Sequence, residues 1–190
     1  MRRFIILSCA PLLFFLFSNA FAHKDHAVVE DSKEVQSAVS DQPIVYPEVV
    51  KLHPPAVHFA IALPLFALLL GGFYSIKRRE PDDIEFLAIF LSSTAVIGAS
   101  ITGYIAHESM ENLPITKSAL DLLHTHENLG IALASLFALI LLLRFIYMFK
   151  RLYIIHHLYM LLLLGGVIAV FIQGNLGGKL VYDFGLGVSR

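Results

Sequence analysis

The sequence has no tryptophan, a single cysteine and few charges, with Lys, Arg, Asp and Glu making up 15% of its 190 residues. Soluble domains carry about 25% charged residues, so an ordinary soluble enzyme is excluded at the outset. The net charge is −1 and no basic run exceeds three residues. That excludes the electrostatic footprint of a nucleic-acid binder. Apolar residues reach 57% and the mean hydropathy is +0.72, which also excludes a disordered regulator. What is present instead is apolar sequence in blocks long enough to cross a bilayer.

The one cysteine, Cys9, falls in a segment with the marks of a secretory signal. Arg2 and Arg3 form a basic start, residues 4–17 are apolar, and Ser18-Asn19-Ala20-Phe21-Ala22 supplies a small-residue cleavage site. Residues 1–22 are therefore expected to be a cleavable signal peptide. Cleavage after Ala22 would remove both arginines and Cys9, leaving a cysteine-free chain of formal charge −3. Such a chain holds no disulfide, thiolate ligand, covalent c-type haem or iron–sulfur cluster. Residues 23–50 are polar, acidic and without periodicity, and read as an extracytoplasmic tether; His23 and His26 there read as tail residues.

Four apolar blocks follow, at roughly 54–76, 84–106, 127–149 and 154–173. Each matches the ~20 residues needed to cross a hydrocarbon core about 30 Å thick. The connections are short, which favours antiparallel neighbours. The expected fold is an all-α four-helix transmembrane bundle covering 51–188. Pro54 and Pro55 suit the first turn of the first helix, and Pro64 predicts a mild kink within it.

Charge sets a direction. Lys77-Arg78-Arg79, and Arg144 with Lys150-Arg151, mark two inside loops, whereas the intervening loop has Lys117 against Glu108, Glu111, Asp121 and Glu127. Both termini are then expected outside, periplasmic on a bacterial inner membrane.

The nine histidines carry most of the chemical information. Imidazole ligates metals, titrates near neutral pH and is costly against lipid. His53, His58, His107, His124 and His126 gather at the predicted outer ends of the spans; His156 and His157 lie at the inner start of the fourth and read as structural. His58 and His126 each lie about 27–29 Å from the inner basic edge, counting ~1.5 Å per residue. Ala95, Ala99, Gly103 and His107 repeat every four residues, as do His126, Gly130, Ala134 and Ala138. Small residues at this spacing line helix contacts in membranes. His58 shares a stripe with Ala62 and Phe66. The pattern predicts an outer cavity ringed by imidazoles.

Three readings fit such a cavity. The leading one is a membrane electron-transfer or haem-binding subunit, with haem b held by His58 and His126 and with His107 as the next candidate. The second is a bare copper or zinc site drawn from His53, His58, His107, His124, His126 and Glu108. The third is a cofactor-free structural or assembly subunit whose histidines cap helices and bond Glu108, Glu127 or backbone. The Gly-rich, apolar segment 174–188 is expected to fold back as a lid over the cavity. No Asp, Glu or Lys is expected mid-span, and neither HExxH nor a phosphate loop occurs, which disfavours coupled transport and hydrolysis.

The run Leu52-His53-Pro54-Pro55-Ala56-Val57-His58-Phe59-Ala60-Ile61-Ala62-Leu63 resembles the opening signature of a bacterial four-helix membrane family, the domain-of-unknown-function family 2231. His126-Glu127-Asn128-Leu129-Gly130 and the Gly-Gly-Lys-Leu-Val-Tyr run at 177–182 are similar to its later signatures. The resemblance covers Lys51 to Val188. It implies a four-helix inner-membrane domain with redox work alongside cytochromes or other respiratory subunits. Two departures stand out: Ala60 where the family often has Pro, and Asn175 where relatives often carry a His.

Overall fold

The computed structural model describes residues 48–110 and 115–187, and among them it holds four helices and no strand. The predicted signal peptide and almost all of the tether lie outside the described residues. The helices are α1 (Glu48–Ile76), α2 (Asp83–Met110), α3 (Lys117–Lys150) and α4 (Tyr153–Tyr182). All four are long and apolar enough to cross a membrane. Successive helices pack on one another and α1 closes the ring against α4.

Each helix turns one stripe inward. On α3 the stripe runs Gly130, Leu133, Phe137, Ile140, Arg144 and Tyr147, alternating steps of three and four. That alternation keeps a helix face on its neighbour over many turns. A repeat of strictly four drifts round the helix by about 40° per step. This is why the predicted line from His126 fails by Ala138, which is exposed. Phe137, Ile140, Tyr159 and Leu163 have no exposed surface and form the middle of the bundle with Ile89 and Ala67. Lipid is as apolar as these side chains, so close packing rather than water exclusion holds them together.

Three boundaries differ from expectation. Helix α1 begins before its prolines, so His53, Pro54 and Pro55 lie inside it. Helix α3 begins ten residues before Glu127, capped by Thr116, whose Oγ1 accepts the Ala119 N–H at 3.2 Å. The glycine-rich segment is not a loop: α4 continues through Gly174, Gly177 and Gly178 to Tyr182. Low-dielectric surroundings favour this, because a helix satisfies its own backbone groups. Only Asp183–Gly187 turns back. Gly185, at φ 67°, donates to the Val181 carbonyl, and Leu186 donates to the Leu180 carbonyl. Leu180 and Leu186 then pack with Val50, Ala106, Met110, Ala119 and Leu123 as a second apolar cluster.

Candidate functional site

Beside that second cluster lies a cavity of about 350 Å³, lined by all four helices. This lies within the range of small-molecule sites, roughly 300–1,000 Å³. Its lining is mostly apolar, and each helix adds polar groups: His53 from α1, His107 and Ser100 from α2, His126 and Glu127 from α3, Gln173 from α4.

The position of each imidazole follows from local structure. His53 Nδ1 lies 3.1 Å from Thr102 Oγ1, and that hydroxyl in turn donates to the carbonyls of Gly98 and Ala99. The hydroxyl proton is thus engaged, so Nδ1 is the donor and Nε2 keeps its lone pair. The ring approaches Gly103 through Cε1, which a Cβ there would meet at 2.8 Å. His107 is buried, with Nδ1 2.8 Å from Glu127 Oε2 and its Nε2 without a protein partner. His124 and Glu127 are three residues apart on α3 and share the face that meets His107; the His124 and His107 ring centroids are 5.4 Å apart. His126 places Cε1 against Gly177, where a Cβ would come within 3.1 Å. Its Nδ1 is buried without a protein partner, and it lies in electrostatic range of His53 and His107. Gln173 Nε2 donates to the His126 carbonyl at 2.8 Å, leaving Oε1 buried and unpaired.

Buried polar atoms are nearly always hydrogen-bonded, so three unpaired ones beside a single cavity are notable. An imidazole held at Nδ1 by a carboxylate or hydroxyl, with Nε2 open, is also the usual preparation of a metal-ligating histidine.

Other predicted residues are placed differently. His58 is exposed and its Nδ1 donates to the Pro54 carbonyl of its own helix at 2.7 Å. Its stripe-mates Ala62 and Phe66 are exposed too, so that stripe is the outer face of α1 and not the cavity wall. His58 reaches only the cavity's rim. Glu108 is exposed. Among the described residues, no group of three or more His, Cys, Asp or Glu side chains is arranged to hold a metal ion.

The opposite end holds a buried pair of charges, one of which, Arg144, is an expected marker of an inside loop. Arg144 is 2% exposed and Glu85 is fully buried, their side chains joined at 2.7 Å from Nε to Oε2. Arg144 Nη2 also donates to the Asp82 carbonyl at 2.8 Å, and the guanidinium lies over the Phe86 and Tyr147 rings. The Tyr159 hydroxyl donates to Glu85 Oε1 at 3.0 Å and accepts from His156 Nδ1 at 2.6 Å. His157 donates to the Tyr153 carbonyl. Glu85 is the second residue of its expected span, and Arg144 falls in step with Phe137 and Ile140, a signal that α3's spacing already contained.

Asp82 caps α2 from the α1–α2 connection. Partial desolvation works against its charge. It is outweighed by N–H groups of Glu85 and Ile84, the Tyr74 hydroxyl and the Arg79 guanidinium, which hold the carboxyl below the usual aspartate value.

These features define a helical membrane protein with a histidine-lined cavity at one end and a buried ion pair at the other. Residues 50–190 match the family described as predicted membrane protein (DUF2231), and the chain belongs to that family. No curated protein and no solved structure matches the chain.

Proposed function

We propose that this protein is a membrane electron-transfer subunit that holds haem b in the histidine-lined cavity. The observation that carries the reading is that His53, His107 and His126, from three helices, line one apolar cavity, where His107 Nε2 and His126 Nδ1 are buried with no protein partner. His53 and His126 stand on α1 and α3, helices across the bundle from each other, and are the residues that would hold the iron. The ligand on α1 is thus His53 and not His58, whose stripe faces outward. Haem, when bound, supplies a one-electron couple. Thr102 fixes the His53 ring, Gln173 tethers α4 to the His126 turn, and Glu127 holds His107 beside the site. With both termini outside, as the charge asymmetry predicts, the centre lies near the periplasmic face and can serve cytochromes or other respiratory subunits there.

A bare copper or zinc ion is less well supported, since the described side chains do not converge on one point as three ligands. The test is an optical spectrum of detergent-purified protein made with ample haem, air-oxidised and then dithionite-reduced. A Soret band that shifts on reduction, lost in His53→Ala and His126→Ala but kept in His157→Ala, is the expected result. A flat visible spectrum retires the haem reading, and elemental analysis of the same sample then decides between copper or zinc and no cofactor.

A further inference from the structure

The cavity is not sealed. Its lining runs outward to the exposed Pro54 and His58 on α1 and to the exposed Val181 and Tyr182 on α4. On the α4 side Gly174, Gly177 and Gly178 contribute no side chain; Ile61 and His126 fill the space at the first two, and Gly178 stands open. A Cβ at Gly178 would meet only the Tyr182 ring, at 4.0 Å. Gly178 thus leaves a slot at the cavity's mouth between the exposed Pro54 and His58 of α1 and Val181 and Tyr182 of α4, and Phe59 and Phe66 are exposed on the same helix as the first pair.

We infer that this lateral slot admits a membrane-dissolved quinone, whose ring enters between α1 and α4 while its apolar tail stays among lipid chains. Four features select the class. The entrance faces lipid, so the ligand arrives from the bilayer. The passage runs past the open Gly178 backbone, which suits a flat ring. The groups left beside the His53 and His126 pair are His107 Nε2, a lone pair while Nδ1 is held by Glu127, and the Gln173 amide oxygen, both of which accept from the hydroxyls of the reduced, quinol form. The Glu127 carboxylate beside His107 repels anionic heads, which disfavours fatty acids and phospholipid phosphates. At the rim, His58 donates from Nδ1 to the Pro54 carbonyl, so its Nε2 offers a lone pair to a quinol hydroxyl. The choice of a redox ligand rests on the electron-transfer reading; the slot itself does not.

The test uses the full chain in phospholipid nanodiscs and a photoreactive azido-benzoquinone with a decyl tail. After irradiation, labelled peptides are mapped by mass spectrometry with and without excess unlabelled quinone. Labelling is expected on the α1 segment around His58 and on the end of α4, and competition should remove it. Gly178→Leu fills the slot and is expected to abolish that labelling. Gly165→Leu, at a position with open space around it and outside the cavity lining, should leave labelling unchanged. Helical circular dichroism and melting of both variants verify that they fold. Label spread evenly along all four helices, label that unlabelled quinone does not displace, or full labelling of folded Gly178→Leu each overturns the inference. The visible spectrum is recorded on the same preparation. Pigment without specific labelling removes the quinone and leaves the haem; labelling without pigment does the reverse.

Discussion

Replacing Arg144 with Met removes a guanidinium from inside the bundle while keeping most of the side chain's apolar length. The Glu85 carboxylate then stays fully buried, with the Tyr159 hydroxyl at 3.0 Å as its remaining side-chain partner. Two bonds disappear, one to Glu85 at 2.7 Å and one to the Asp82 carbonyl at 2.8 Å. Hydrogen bonds to charged groups contribute about 1.5–3 kcal/mol each. Breaking one side of a buried ion pair costs about 3–5 kcal/mol, because the other charge is stranded. The two routes overlap near 3–5 kcal/mol. For a chain of this size that lowers the melting temperature by roughly 6–20 °C, at about 2–4 °C per kcal/mol. The double variant Glu85→Gln/Arg144→Met strands no charge and should recover much of the loss. Thermal unfolding in detergent, followed by helical circular dichroism, reads all three proteins. The reasoning is refuted if Arg144→Met melts with the parent protein, or if the double variant is no more stable than the single one.

The other expectations are smaller in scope. Asp82's carboxyl is held below its usual value, so its contribution to stability is present above that value and lost as pH falls through the depressed one. Melting temperature should therefore drop in this acid window, and Asp82→Asn should flatten that part of the drop. Gly103→Ala would place a methyl 2.8 Å from His53 Cε1, forcing the ring away from Thr102 at a cost of about 1–3 kcal/mol; under the haem reading, the Soret band should weaken or shift. At Gly177 the contact is 3.1 Å, so Gly177→Ala should disturb the His126 spectrum less than Gly103→Ala disturbs that of His53. Leu186→Ala opens the cluster closing the cavity's end and should cost about 2–3 kcal/mol in the same melt, low in the range for buried leucines because the site lies in a short turn.

Composition and block length alone carried the fold class. Four apolar runs of about 20 residues joined by short links have few arrangements in a bilayer, since every backbone polar group must be satisfied within a helix. The existence of the cavity was legible in the same way, from histidines gathered at one end of the spans and small residues near them. Which histidine faces it was not. His53 and His58 are five residues apart, nearly one and a half turns, so they point to opposite sides of α1. A four-residue repeat cannot tell the inward side from the outward one, because both carry apolar residues when the solvent is lipid. Only the packing of α1 against Thr102 and Gly103 decides for His53. Likewise, glycines at 174–178 read as loop residues by their conformational freedom, yet in the folded bundle they are helical, and Gly177 makes room for an imidazole. Arg144 reads as an inside-loop charge because it stands near the end of its apolar block, and Glu85 is only the second residue of its own. Burial of the pair required two helices to meet at one depth, a fact of the tertiary structure that neither segment contains by itself.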